Sequence, residues 1–169
     1  MVAITTERLT IRPLTAADVD FIFELYNTPG FQRFVGDKQL HTRQDAMNYL
    51  EASLISMYQS KGLGLQRVAL KSDDTPIGIC GLIKRDSLED IDLGYGYLPG
   101  FEGQGYACEA AQAILSFARE TLALKRLVAI TDAENHRCID LLTRLGFHYE
   151  SNHQTLPDGG LLVLYGIEL

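Results

Sequence analysis

Seven apolar residues, Ala107, Ala110, Ala111, Ile114, Leu115, Ala118 and Leu122, fall at i, i+3, i+4, i+7, i+8, i+11 and i+15. That spacing lays one apolar stripe along an α-helix and obliges it to pack on a partner surface. Strand patterns bracket it. Ile91 to Leu98 alternates, with Ile91, Leu93, Tyr95 and Tyr97 on one face, and Leu127 to Thr131 is a short apolar run. A strand, a helix and a second strand in this order predict a crossover, the connection that parallel neighbours in a sheet require.

The flanking segments add antiparallel elements. Arg8 to Leu14 alternates and is closed by Pro13. Thr15 with Asp18, and Thr42 with Asp45, have the spacing of helix capping boxes. Phe21, Ile22 and Leu25 follow the first at helical spacing, and Ala46, Tyr49, Leu50 and Met57 continue the second. Leu65 to Lys71 and Ile77 to Lys84 read as strands joined by the turn Ser72-Asp-Asp-Thr-Pro76. A last helix is expected from about His136 to Leu145, with Gly146 as its left-handed cap and Phe147 beyond it. The chain then ends in a hairpin around Pro157-Asp-Gly-Gly160, with Leu161 to Ile167 as the final strand. The sum is a single α+β domain over 1–169, with a mixed, mostly antiparallel sheet.

Between the fourth of these strands and the strong helix lies Leu98-Pro-Gly-Phe-Glu-Gly-Gln-Gly-Tyr-Ala-Cys-Glu-Ala110. Free N–H groups at a helix N-terminus attract phosphates, and glycines let a ligand approach the backbone. Three nucleotide-type patterns compete for this turn. GxGxxG fails, because Cys108 stands at its third glycine. The P-loop GxxxxGK[ST] begins with Gly100 and Gly105 but meets Tyr106 and Ala107 where lysine and a hydroxyl are needed. The pattern [QR]-x-x-G-x-[GA] needs only backbone amides and is met by Gly103-Gln-Gly105, with Gly100 departing at the first position. Glycines serving only a tight turn remain the alternative.

Further stretches, in order, resemble the GNAT superfamily of N-acetyltransferases and its RimJ/RimL-type, ribosomal-protein branch. They are Glu7-Arg-Leu-Thr-Ile-Arg-Pro-Leu14, Ile77-Gly-Ile-Cys-Gly-Leu82, Asp92-Leu-Gly-Tyr95 with Leu98-Pro99, Gly103-Gln-Gly-Tyr-Ala-x-Glu-Ala110, and Asn135 followed by Leu141-Leu-x-x-Leu-Gly-Phe147. The resemblance implies a sheet whose fourth and fifth strands, here Ile91–Leu98 and Leu127–Thr131, splay apart. It implies acetyl-CoA as cosubstrate, with no metal. The pantetheine arm would lie along Tyr97 and Leu98, and the pyrophosphate on Gly103, Gln104, Gly105, Tyr106 and Ala107. Asn135 would serve as helix cap and as a hydrogen-bond partner of the cofactor arm. Glu102 departs from the tryptophan of many members and, unless it points to solvent, should weaken CoA binding. Cys108 and Cys138 stand where hydroxyl residues are usual.

Acetyl transfer to an amine needs a base, a donor for the oxyanion and an acid for the leaving thiolate. An α-amine, with pKa about 8, asks less of the base than a lysine at about 10.4. A backbone N–H near Tyr97 or Leu98 is the family-like oxyanion donor. Asp92, flanked by Ile91 and Leu93, is the candidate base if it is desolvated, and otherwise a surface aspartate. Cys138, in the first turn of its helix where the dipole lowers a thiol pKa, is a proton donor or a packing residue. Glu109 reads as a helix-dipole partner. His136 is an alternative acid or base, or a cap residue.

A net charge of -7 argues against a nucleic-acid surface. The apolar runs are too short for a membrane span. Three widely spaced cysteines without CxxC favour reduced thiols in the cytoplasm. The expected activity is transfer from acetyl-CoA to a primary amine through a ternary complex, with a protein N-terminal α-amine as acceptor. A small amine and a catalytically silent CoA-binding module are the alternatives. Acceptor selectivity is expected from residues 27–42 and 152–160.

Overall fold

A computed structural model of the protein describes residues 3–169. Eight strands form one sheet in the order β1-β2-β3-β4-β5-β6-β8-β7. They are β1 (Ile4–Thr5), β2 (Leu9–Pro13), β3 (Leu65–Leu70), β4 (Pro76–Ile83), β5 (Asp92–Tyr97), β6 (Arg126–Asp132), β7 (His148–Thr155) and β8 (Leu161–Glu168). All neighbours are antiparallel except β5 and β6. The strands expected from alternation are present. β1 is too short to carry a pattern, and β7 is exposed along nearly its whole length, so neither shows an apolar period.

Helices cover both faces. On one lie α1 (Val19–Tyr26), α2 (Pro29–Phe34), α3 (Arg43–Tyr49) and α4 (Ser56–Lys61). On the other lie α5 (Tyr106–Glu120), which is the predicted crossover helix, and α6 (His136–Leu145). Leu9, Ile11, Cys80, Leu82 and Leu93 meet Ala110, Ala111, Ile114 and Leu142 in one core. Leu14, Ile22, Leu25, Leu50 and Ile79 form the other. A register shift in β3–β4 places Ile77 in the first core and Ile79 in the second. Such a bulge reverses side-chain direction, and simple alternation does not reveal it.

The predicted caps hold. The Thr15 N–H donates to Asp18 Oδ2 at 2.8 Å, and the Asp45 N–H donates to Thr42 Oγ1 at 3.0 Å. Gly146 adopts φ +104°, and the Phe147 N–H returns to the Leu142 carbonyl at 2.9 Å. The helix begun at Thr42 is not uniform: residues 50–55 are a π-helical stretch between α3 and α4.

Candidate functional site

β5 and β6 share one registered pair, Asp92 with Val128, secured by a 3.0 Å bond from the Val128 N–H to the Ile91 carbonyl. Beyond it the strands diverge. In an antiparallel ladder, alternate residues turn their N–H and C=O to one neighbour. Gly94, Gly96 and Leu98 face β4, with the Leu98 N–H donating to the Ile77 carbonyl at 2.8 Å. Tyr95 and Tyr97 therefore turn their backbone groups into the gap. The expectation of a free amide at Leu98 is corrected by this register. Tyr97 is the position whose N–H faces the opening.

The glycine-rich turn closes the top of the gap. Gly103 and Gly105 have φ +75° and +84°. The first bond of α5 runs from the Glu109 N–H to the Gly105 carbonyl, so the N–H groups of Tyr106, Ala107 and Cys108 have no partner within the helix. Gln104 braces the turn, its Nε2 donating to the Gly100 carbonyl at 3.2 Å.

A strap from the turn before β2 holds this turn. Arg8 Nη1 donates to the Gln104 carbonyl at 3.0 Å, and its guanidinium lies 4.4 Å from the Tyr106 ring centroid. Arg8 Nε donates to Glu109 Oε1 at 2.7 Å. Glu109 Oε2 accepts from Thr6 Oγ1 at 2.6 Å and from the Arg8 N–H at 2.9 Å. A Cβ on Gly105 would stand 3.2 Å from Arg8 Nη2. Glu109 is thus an anchor rather than a dipole partner alone. Arg8 was visible only as part of a strand signature, and nothing local in the sequence links it to the loop.

Across the gap, the Asn135 side chain caps α6 by accepting from the Cys138 N–H at 3.2 Å. Glu102 neither repels a neighbouring anion unopposed nor points free into solvent. It pairs with Arg137 of α6, joining the two walls of the gap. The Cys138 thiol lies 2.9 Å from the Tyr95 hydroxyl. Burial pushes its pKa up, against hydrogen bonds with Thr131 and Tyr95. The dipole-lowered thiol expected from position alone is thereby corrected: desolvation wins and the group stays protonated at neutral pH.

On the opposite face of β5 sits Asp92, whose side chain is 2% exposed. Arg85 Nε donates to its two oxygens at 3.0 and 3.2 Å. Burial raises the carboxyl pKa and the Arg85 charge opposes the rise. The surface-aspartate alternative is excluded by this burial. Gly96 lies on the same face, where the Phe31 ring approaches so closely that a Cβ would be 2.4 Å from it. One cleft of about 1420 Å³ joins these parts, lined by Gly103, Gly105, Ala107 and Cys138 on one side and by Tyr26, Tyr49, Arg85 and Asp92 on the other. It exceeds the usual range for a single small-molecule site, leaving room for two ligands. His136 does not line it; His153 does.

Burial pushes the Glu109 carboxyl up, but hydrogen bonds from Thr6 and Arg8 outweigh this and hold it below the ordinary glutamate value. A depressed carboxylate stabilises the fold above its unfolded pKa and loses that effect as pH falls through the folded one. Glu109→Gln should therefore lower Tm at pH 7 by roughly 2–4 °C. The gap to wild type should close below about pH 4 in pH-dependent thermal melts.

The sequence pattern of the family described as "Acetyltransferase (GNAT) domain" matches residues 8–148. An uncharacterized N-acetyltransferase of Bacillus subtilis (strain 168), YnaD, is 26% identical over 149 residues, covering 87% of this chain and 83% of its own. The spermidine N(1)-acetyltransferase of Escherichia coli (strain K12) is 22% identical over 141 residues, covering 83% and 73%. Among solved structures, an acetyltransferase of Agrobacterium tumefaciens superposes with TM-score 0.81 at 26% identity over 98% of this chain and 94% of that one. RimL, the ribosomal L7/L12 α-N-protein acetyltransferase in complex with coenzyme A, superposes with TM-score 0.88 at 15% identity, covering 99% and 98%. With the splayed strands, the glycine turn and a family match over most of its length, this chain belongs to the GNAT acetyltransferases and is an acetyl-CoA-dependent acyltransferase.

Proposed function

We propose that the protein transfers an acetyl group directly from acetyl-CoA to a primary amine, foremost the α-amine of a protein N-terminus. One observation carries direct transfer: the cleft runs through the β5–β6 gap and connects the glycine turn on one side of the sheet with Asp92 and Arg85 on the other. Two ligands entering from opposite faces meet in such a gap, with no need for a covalent relay. The N-terminal acceptor is supported by the sequence resemblance to the ribosomal-protein branch and by the fold shared with RimL. The spermidine acetyltransferase among the relatives keeps a small amine as the second reading.

The site fits the cosubstrate. Positive-φ glycines and unpaired first-turn N–H groups at Tyr106, Ala107 and Cys108 suit a pyrophosphate. The open backbone groups of Tyr95 and Tyr97 suit an extended arm that carries amides. Asn135 stands at the facing helix end and is proposed as a second contact for that arm. Acetyl-CoA supplies an activated thioester and leaves as a thiol.

The chain's own groups divide the remaining work. Asp92 is the proposed base; nearly sealed and at the other end of β5 from Tyr97, it takes the acceptor's proton through a chain of waters in the cleft. The Tyr97 N–H stabilises the negative charge that develops on the acetyl oxygen. As the new N–C bond forms and the C–S bond breaks, the Cys138 Sγ–H gives its proton to the departing sulfur and is then reprotonated from solvent. Its raised pKa suits an acid and disfavours a nucleophile. The Tyr95 hydroxyl, 2.9 Å away, fixes the thiol's direction. Tyr95 had stood out in the sequence only as an inward-facing apolar position.

Three outcomes follow. Gly105→Val should remain folded by circular dichroism and lose roughly tenfold or more in acetyl-CoA affinity by calorimetry. The cause is a β-branched residue at φ +84° beside Arg8, strained by about 1–3 kcal/mol. Unaltered affinity would remove this turn as the phosphate cradle. Glu102→Gln should release Arg137 toward the cofactor and tighten acetyl-CoA binding several-fold, more so at low ionic strength. Cys138→Ala should lower kcat by roughly 10²–10⁴-fold while Cys138→Ser retains much of it. In wild type, the alkaline fall in kcat should come only above the ordinary thiol value of about 8.5, as Cys138 ionises, and protonation of Asp92 should give a separate fall on the acid side. Wild-type turnover in Cys138→Ala would end the donor assignment.

A further inference from the structure

We propose that the acceptor carries a carboxylate close to its reactive amine, and that Arg85 binds it. The inference rests on the transfer reading above and deepens it by naming the acceptor's chemistry. Arg85 lies just beyond β4, and one edge of its guanidinium is engaged. Nε donates to both oxygens of Asp92, whose side chain is 2% exposed, whereas Arg85 itself is 46% exposed. A sealed carboxylate therefore anchors the inner edge of the group. The outer edge, Nη1 and Nη2, has no hydrogen-bond partner among the described residues and belongs to a residue that lines the cleft. A guanidinium fixed at one edge presents its remaining N–H groups as a rigid fork. That geometry matches a carboxylate with two parallel hydrogen bonds.

The position of this fork is functional. Arg85 lines the cleft together with Tyr26, Phe31 and Tyr49. The Tyr26 and Phe31 rings lie 4.3 Å apart and the Tyr26 and Tyr49 rings 5.1 Å apart. Burial raises the pKa of both tyrosine hydroxyls, and the Arg85 charge opposes it in each, so the guanidinium faces this aromatic cluster. An acceptor amine brought to the Asp92 side of the gap enters the same cleft that this fork lines.

The charges around the fork point the same way. In a chain of net charge -7, this side of the cleft gathers Lys38, Lys61, Lys84 and Arg85 against Asp86 and Asp92. Lys84 is engaged with the Leu88 and Glu89 carbonyls, and Asp92 is already neutralised by Arg85. Lys38 and Lys61 form no ion pair among the described residues. A polyamine would meet these cations, with Asp86 as the exposed carboxylate next to Arg85 in sequence. An amine with a neighbouring carboxylate meets an anchored arginine in a cleft whose lining also carries Lys38 and Lys61. Either the α-carboxylate of a free amino acid or an acidic side chain near a peptide N-terminus supplies that group.

Matched acceptors at saturating acetyl-CoA, followed by release of CoA thiol, test this. The first pair is the peptide amides Ala-Asp-Gly-Phe and Ala-Asn-Gly-Phe, the second is alanine and alaninamide, and spermidine is the cationic reference. We expect the acidic member of one pair to exceed its neutral partner in kcat/KM by roughly 10- to 100-fold, the effect of a charged hydrogen-bonded pair. The pair that shows the preference identifies the source of the carboxylate. In Arg85→Gln the ratio should collapse toward one, and in Arg85→Lys it should fall to an intermediate value. Because each ratio is taken within one variant, any general damage from unpairing Asp92 cancels. Equal or better turnover of the neutral members, preference for spermidine, or a ratio that survives Arg85→Gln overturns the inference while leaving the transfer reading intact. Binding of acetyl-CoA with no thiol release for any acceptor overturns the transfer reading and this inference with it.

Discussion

The structure turns on a backbone constraint between β5 and β6. A parallel pair can bond along its length, yet here it holds at one registered pair and then opens. β5 keeps its other edge on β4, so its open edge carries unpaired N–H and C=O groups at Tyr95 and Tyr97. Backbone groups of this kind are costly to cover unless they find a partner, and an extended ligand bearing amides is one. The same opening lets a single cleft cross the sheet, with the two helical layers on opposite sides of it.

Everything near the gap is held by pairs of side chains from distant parts of the chain. Arg8 and Glu109, 101 positions apart, clamp the glycine turn from the β2 side. Glu102 and Arg137 tie its outer lip to α6, and Tyr95 meets Cys138 beneath. The first two are partly or largely exposed ion pairs, worth little as stabilisers by general experience. Their weight lies in geometry: they set where the free N–H groups of α5 point and how the walls of the gap stand relative to each other.

The two faces of β5 differ in chemistry because strand residues alternate. Tyr95 and Tyr97 point toward α5 and α6, where burial keeps hydroxyl and thiol protonated. Asp92, Gly94 and Gly96 point toward α1–α3, where a sealed carboxylate fixes an arginine and the absence of side chains admits Phe31. One face therefore suits proton donation to a departing sulfur and the other suits recognition of an acceptor. A strand of six residues separates the two tasks.

The sequence by itself determined the crossover helix, the glycine turn and both capping boxes, because each depends on periodicity or spacing within a few turns of chain, and the GNAT family was legible through the resemblance of several stretches in order along it. It also placed Asp92 opposite the tyrosines, which needs only the two-residue period of a strand. It left β1 and β7 unread, as one is two residues long and the other has no buried face. Only the tertiary structure decided that the Leu98 amide is bonded while Tyr97 faces the gap, since ladder phase depends on how β4 is paired. It alone decided that Cys138 is neutral rather than activated, because burial by surrounding elements outweighs a local helix dipole. The partners of Arg8, Arg85 and Glu102 were equally invisible. Charged side chains meet across long sequence separations through packing, and no local pattern encodes which of them will face each other.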